Sequence, residues 1–228
     1  MTMLNILVVG ADRGIAHSIC LQLQARDEHV LAACMGNESP YSGKGIEVIG
    51  GIDVTSAKAV QQLADQLHQR EVKLDWVIHV AGVLGLDELG KIDYDEMRRQ
   101  FEINTLGPLR VVEACIPYLS EGSKVGIVTS RVGSLGDNGS GGMYAYRVSK
   151  AGANMVVLNL HHDLKQRGIA ILALHPGMVA TNLTKDFPGD FKYIQPEDAA
   201  KGLIARMDEL TPEASGQFRH ANGEKLLW

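Results

Sequence analysis

Tyr146-Arg147-Val148-Ser149-Lys150 sets a phenol and an ammonium four residues apart. On a helix, residues i and i+4 share a face. An ammonium beside a phenol favours the phenolate and draws its pKa down from about 10 towards the working range. Such a phenol serves as general acid towards a carbonyl oxygen and as general base towards an alcohol. A tyrosine near a lysine is also an ordinary surface arrangement, so the pair needs context. Tyr144 has none, because its i+4 partner is Val148. Ser130, in Thr129-Ser130-Arg131-Val132-Gly133, ends the apolar run before that helix. Its hydroxyl can hydrogen-bond a substrate oxygen and steady a phenolate; the plainer reading is a serine at a strand-terminal turn.

A second chemical signal lies at the start of the chain. Gly10-Ala11-Asp12-Arg13-Gly14-Ile15-Ala16 follows an apolar run and precedes a helical pattern. Glycine there lets the backbone turn tightly and approach a pyrophosphate. The helix start behind it offers free N–H groups and a favourable dipole. The spacing is Gly-xxx-Gly-x-Ala rather than the commoner Gly-x-Gly-x-x-Gly, and a purely structural turn has the same composition.

These groups need a frame that carries them to one edge. Leu4–Gly10, Val30–Cys34, Ile46–Ile49, Leu74–Val80, Lys124–Ser130 and Ile169–His175 read as short buried strands. Their near-continuous Val/Ile/Leu content fits parallel strands covered on both faces. Helical patterns lie between them, at 14–26, 56–70, 93–119, 144–167 and 196–208, with Pro117 interrupting or ending the third. This alternation predicts an α/β fold, a doubly wound parallel sheet with helices on both faces. Right-handed crossovers put all strand carboxyl ends on one edge, where ligands bind. With no repeat or linker, residues 1–228 read as one domain. The glycine-rich segment Gly133–Gly142 and the segment Leu183–Tyr193 read as irregular loops on that edge.

Composition narrows the partners. The net charge of −5 and the lack of a long Lys/Arg run argue against nucleic acid, whose phosphates need a basic face. No apolar stretch of about 18 residues suggests a membrane span. Met1 to Gly10 has no charged leader region and reads as a first strand rather than a signal peptide. Three cysteines, Cys20, Cys34 and Cys115, make a poor disulfide framework and point to a reducing, cytoplasmic setting. The pair His161-His162 has no matching ligand set, so no metal site is expected.

Gly10/Gly14, Asp53-Val54, Ala81-Gly82, Asn104, Ser130, Tyr146-xxx-Lys150 and Pro176-Gly177 occur in order along the chain. Together they resemble the short-chain dehydrogenase/reductase family over essentially the whole length. Tyr144-Ala145-Tyr146-Arg147-x-Ser149-Lys150, His175-Pro176-Gly177-Met178-Val179-x-Thr181 and the C-terminal Gly223-Glu224…Trp228 resemble its C-factor/sniffer-like carbonyl reductases. The resemblance implies a Rossmann sheet of about seven strands. It implies that Tyr146 is the proton donor or acceptor, that Lys150 holds the nicotinamide ribose, and that Ser130 orients the carbonyl. Asn104 would anchor a water continuing the relay from Lys150. Gly10, Asp12, Arg13, Gly14 and Ile15 would form the dinucleotide turn. Asp53 would face the adenine amine beside the Val54 backbone, and Ala81 and Gly82 would pack near the adenosine ribose. Pro176, Gly177, Val179 and Thr181 would seat the carboxamide. Departures are His79-Val80-Ala81-Gly82, where the family often has Asn-Asn-Ala-Gly, and Val9, where a threonine is common. His79 is read as a structural replacement that hydrogen-bonds the central sheet.

The resulting expectation is an NADPH-dependent oxidoreductase acting on a small carbonyl substrate: a ketone, aldehyde or quinone. A dinucleotide-binding scaffold or signalling protein of the same fold is the alternative. No carboxylate stands in Ala32-Ala33-Cys34-Met35-Gly36, where NAD enzymes usually carry one, and Arg13 can pair with a 2′-phosphate. Both favour NADP(H). Met35, where relatives often have a second arginine, and Asp12, which can accept from a free 2′-hydroxyl, leave NAD(H) open. Met143, Met178, Phe187 and Phe191 suggest a partly apolar pocket. Many relatives pair through the helices near 93–119 and 144–167, so a homodimer or homotetramer is expected. Val156, Val157, Leu158 and Leu160 would serve that face or pack on the sheet.

Overall fold

The protein is described from a computed structural model in which residues 3–41, 43–185, 187 and 189–228 are placed. Pro188, part of the second loop expected above, lies outside the described residues.

Seven strands form one parallel sheet: β1 (Asn5–Val9), β2 (His29–Ala33), β3 (Glu47–Ile49), β4 (Leu74–His79), β5 (Leu119–Val128), β6 (Ala170–His175) and β7 (Gln217–His220). Their order is β3-β2-β1-β4-β5-β6-β7 and every pairing is parallel. The helices are α1 (Gly14–Gln24), α2 (Ala57–Gln69), α3 (Tyr94–Phe101), α4 (Gly107–Cys115), α5 (Tyr144–Lys165) and α6 (Pro196–Asp208). Alternation along β1 feeds two cores. Leu7 and Val9 pack with α2, α4 and α5; Ile6 and Val8 pack with α1 and α6. A strand whose successive residues are all buried must be covered on both sides. Val157 and Leu160 of α5 belong to the first core, so that stripe faces the sheet.

The expected helix over 93–119 is instead two helices joined by a π-helical turn, Glu102–Leu106. Pro108 occupies the first turn of α4, and a 3₁₀ turn containing Pro117 ends it. Proline lacks an N–H, so it sits at helix starts and stops runs of i→i−4 bonds. Strand β5 begins earlier than expected, because its first half is exposed at Ser120–Gly122 and carries no apolar run. It also ends at Val128, before Ser130.

The carboxyl edge is tightly built. Gly10 has φ +83°, and a Cβ there would stand 2.7 Å from the Ala81 backbone. Val80 and Ala81 N–H both donate to Val9 O, at 2.9 and 3.2 Å. Any side chain at residue 10 would force β1 and β4 apart.

His79 ends β4 and is buried. It does not hydrogen-bond the sheet as expected. Apart from a contact with its own backbone, neither ring nitrogen has a partner among the described residues. The neighbouring strand groups are already taken by the parallel ladder. Burial holds His79 near pKa 3, with the Lys150 charge adding to the effect. His175, at the end of β6, is likewise held near 3 by burial and then by His220. Below their unfolded value of 6.5, the unfolded chain takes up protons that the folded chain refuses. Stability should therefore fall as pH drops from about 6.5, at up to about 1.4 kcal/mol per pH unit for each group. Urea titrations across pH 7 to 4 should show this loss, and His79→Leu should flatten the slope while raising stability at pH 7. An unchanged slope in His79→Leu would remove the assignment.

Candidate active site

Tyr146 and Lys150 lie on the first turns of α5 and are both buried, at 8% and 4% exposure. The helix starts at a fixed place because Asp87, from the segment after β4, caps it. Its two carboxylate oxygens accept from Tyr144 N at 2.6 Å and Ala145 N at 2.7 Å. A carboxylate at a helix N-terminus satisfies otherwise orphan donors and suits the dipole. Neither role is legible in the sequence, where Asp87 stands 57 residues before its partner.

The body of α5 is fastened by the π-helical turn. Asn104 Nδ2 donates to Ser149 Oγ and to Val83 O, each at 2.9 Å, while its Oδ1 accepts from Val83 N at 2.8 Å. Thr105 Oγ1 donates to Ser149 O at 2.7 Å. Both Asn104 donors are thus consumed by protein partners, and its side chain joins the segment after β4 to α5. π-helical turns inside helices recur at functional sites, and this one points Asn104 and Thr105 at the same residue of α5.

The opposite side is fixed by the segment after β5. Thr129 Oγ1 donates to Asn154 Oδ1 at 2.8 Å and to Lys150 O at 3.3 Å. Ser130 is extended, just beyond β5, and hydrogen-bonds Tyr146 through its side chain. A Cβ on Gly133 would fall 2.6 Å from the Lys150 backbone, so only glycine allows this approach. Arg147 holds the glycine-rich loop by donating to Val132 O at 3.0 Å, Gly141 O at 3.1 Å and Ser140 Oγ at 2.8 Å. The chain end takes part too: Gly136 N and Ser134 Oγ donate to Trp228 O, at 2.8 and 3.1 Å. Arg131 pairs with Glu224.

The phenol is not drawn down as the Tyr-Lys spacing suggested. Burial is the larger influence and pushes Tyr146 up to about 12, against the hydrogen bond with Ser130, which lowers it. The Lys150 ammonium stands 5.7 Å from the ring centroid and donates to Val128 O at 3.3 Å. Burial in turn holds Lys150 down to about 8.

Beside these groups opens a cleft of about 1360 Å³, a volume that accommodates a dinucleotide. Gly10, Asp12, Arg13, Gly14 and Ile15 line one end, with Asp53, Val54, Ala81, Gly82 and Thr181. Asp53 Oδ1 accepts from Thr55 N and Oγ1 at 2.9 and 2.8 Å, which shapes the turn before α2. Thr181 meets the glycine turn directly, 3.6 Å from where a Gly14 Cβ would lie. Pro176, Gly177 and Val179 are not among the lining residues; Val179 is buried and bridges to Ile194. Ser130, Tyr146 and Lys150 are not among the lining residues, but Lys150 approaches the wall at Gly82. A Cβ on Gly82, which lines it, would stand 3.4 Å from Lys150 Nζ and 3.1 Å from Asn104 Oδ1. Of the expected apolar pocket residues, Phe187 lines the cleft with Phe191 packed on its ring, whereas Met143 and Met178 do not line it.

A family model described as "short chain dehydrogenase" matches residues 4–190. A 1-hydroxy-2-glutathionyl-2-methyl-3-butene dehydrogenase of Rhodococcus sp. (strain AD45) is 62% identical over 226 residues, covering 99% of this chain and 100% of that protein. The C-signal protein of Myxococcus xanthus is 44% identical over 158 residues, covering 68% of this chain and 93% of its own length. Among solved structures, a carbonyl reductase from Pseudomonas aeruginosa PAO1 in complex with NADP superposes with a TM-score of 0.86 at 26% identity, with both chains fully covered.

Close contact at Gly133 gives a direct test of the clamp. Gly133→Ala should destabilise the protein by about 1–3 kcal/mol, the usual cost of overpacking. It should also pull Ser130 away from Tyr146, lowering turnover more than dinucleotide affinity. Normal stability with normal turnover would show that this approach constrains nothing.

Proposed function

The chain belongs to the short-chain dehydrogenase/reductase family, and on that premise we propose that it interconverts an alcohol and a carbonyl compound with a nicotinamide dinucleotide, using Ser130, Tyr146 and Lys150. The observation that carries this reading is the buried Tyr146 phenol, with the half-buried Ser130 as its partner and the buried Lys150 ammonium beside it, in a protein whose cleft is of dinucleotide size. A scaffold that only binds has no need of such a group.

The cleft residues suit the cofactor. The glycine turn at Gly10–Gly14 leaves no side chain between the backbone and a pyrophosphate, and Gly14 begins a helix whose first N–H groups are free for anions. Asp53 and Val54 would flank the adenine, Ala81 and Gly82 the adenosine ribose, and Pro176, Gly177, Val179 and Thr181 the carboxamide. When bound, the nicotinamide exchanges hydride with the substrate carbon.

The protein supplies the proton chemistry. In reduction, Tyr146 Oη gives its proton to the carbonyl oxygen; in oxidation it takes the proton from the hydroxyl. Its raised pKa keeps it protonated at neutral pH, ready for the first role. Ser130 holds the substrate oxygen against that hydroxyl. Lys150 contributes a nearby positive charge that favours the phenolate as it forms. Asn104 keeps α5, and with it both groups, in register.

For the substrate, the relative at 62% identity is named for an alcohol bearing a glutathionyl group. We assign this chain the same class, with alcohol oxidation as the reaction. Leu84, Leu86 and Phe187 give the cleft an apolar share that suits the hydrocarbon part. The C-signal relative keeps a second reading in play, a binding module of the same fold, and Tyr146 discriminates the two.

Tyr146→Phe keeps the ring and removes the proton. It should slow turnover of a glutathionyl alcohol roughly 10²–10⁴-fold, with folding and dinucleotide affinity retained. Tyr144→Phe should have little effect. Lys150→Ala should slow turnover and weaken dinucleotide binding together. Oxidation should gain with rising pH and reduction should lose, because one consumes the base form of Tyr146 and the other its acid form. Steady-state rates on glutathionyl and unconjugated alcohols, with NAD and NADP in parallel, measure all of these. Full turnover by Tyr146→Phe would overturn the mechanism. A cellular role that survives Tyr146→Phe and fails on enlarging Gly14 would favour the binding module.

A further inference from the structure

Asp12 and Arg13 stand side by side in the glycine turn, and the sequence favoured the arginine as the residue that selects the cofactor. The structure treats them differently. Arg13 is exposed, and its side chain makes no hydrogen bond or ion pair among the described residues. Asp12 is held on both oxygens: Oδ2 accepts from Met35 N at 3.0 Å and Oδ1 from Gly36 N at 2.8 Å. Asp12, Arg13, Met35 and Gly36 all line the cleft.

The backbone fixes this arrangement. Gly10 N and Ala11 N both donate to Ala33 O, at 3.0 and 3.1 Å, which binds the glycine turn to the end of β2. Cys34 N donates across to Ile49 O at 2.9 Å. The next two N–H groups of that segment, Met35 and Gly36, are the pair that Asp12 takes. The carboxylate therefore sits at the carboxyl end of β2, where the adenosine ribose of a doubly wound fold lies and an acid ordinarily accepts its 2′-hydroxyl. That acid is missing from β2 itself and arrives instead from the glycine turn.

We infer that Asp12 is the specificity-determining residue for the adenosine half and sets the preference to NAD(H) over NADP(H). This rests on the dinucleotide reading proposed above. A ribose hydroxyl is a donor, and a carboxylate oxygen with one bond retains a lone pair for it. A 2′-phosphate is an acceptor with a charge of about −1.5 to −2 at neutral pH. It meets a fixed negative charge and two backbone donors already engaged. The segment Met35-Gly36-Asn37-Glu38-Ser39 contains no cation to offset this. Arg13 is the compensating charge in the turn, and its exposure leaves it screened by solvent.

Isothermal titration with 5′-AMP and with adenosine 2′,5′-bisphosphate reads this half of the site without catalysis, and NADH and NADPH fluorescence titrations read the whole. The wild type should bind 5′-AMP and NADH more tightly than their 2′-phosphorylated counterparts. Asp12→Asn removes the charge and keeps one acceptor; it should shift both ratios towards the phosphorylated ligand by roughly 10- to 100-fold, the worth of one charge-assisted contact. Asp12→Ser frees both N–H groups and should shift them in the same direction. Arg13→Ala should weaken only the phosphorylated ligands. A wild type that prefers 2′-phosphate, or folded Asp12 variants with unchanged ratios, would overturn the inference and leave the enzyme reading standing. Should both variants fail to fold, the wild-type ratio alone decides. A wild type that binds neither NADH nor NADPH would bring down the dinucleotide reading and this inference with it.

Discussion

Keeping an ammonium out of water is the constraint around which this molecule is arranged. Lys150 is 4% exposed, and its ammonium has one hydrogen bond among the described residues, to Val128 O. A buried cation of this kind is costly unless the fold holds it and a ligand or substrate makes use of it. The fold does so by fastening α5 along its first half. Asp87 fixes the start, Asn104 and Thr105 hold Ser149, Thr129 holds the Lys150 carbonyl, and Gly133 lets the segment after β5 touch the helix backbone. These fastenings come from the carboxyl ends of β4 and β5 and from the π-helical turn between them. The sheet places them, and Tyr146 and Lys150 inherit its geometry.

The same economy of position governs the cleft. A parallel sheet ends all its strands at one edge, and the glycine turn after β1 is drawn against β4 at Ala81 and against β2 at Ala33. Asp12 extends the second contact with a side chain. The turn, the segment after β2 and the segment after β4 are therefore joined into one wall. Gly82, in the segment after β4, carries that wall up to Lys150 and Asn104.

Much of this frame was legible in the sequence because it rests on local regularities. Buried parallel strands read as short apolar runs, and amphipathic helices separate them, so six strands and the register of α5 follow directly from the pattern. Tyr146 and Lys150 are recognisable because helical spacing is a local property. What escaped is nonlocal. Asp87 and Ala145 are 58 residues apart, Arg147 reaches Val132 across 15 residues, and nothing in the sequence announces those contacts. The π-helical turn escaped because an added residue in a helix has no compositional mark. The phenol's pKa was misjudged in direction, since spacing gives the neighbour of a group but not its burial, and burial is the larger influence here. His79 was expected to bond the sheet; the strand pattern could not show that the ladder leaves nothing for its ring.

That orphaned imidazole lies within reach of the buried ammonium: the Lys150 charge adds to burial in keeping His79 neutral, while burial alone holds Lys150 down. A sequence selected for stability alone would place apolar side chains at both positions. Retaining them makes sense if this region must stay polar enough to respond to a charged ligand arriving beside it, while remaining dry enough for that charge to count. The fastenings on α5 are then more than scaffolding. They hold an unfavourable arrangement in place, so that under the proposed function a dinucleotide and an alcohol would meet groups already set for them rather than groups that must first leave water.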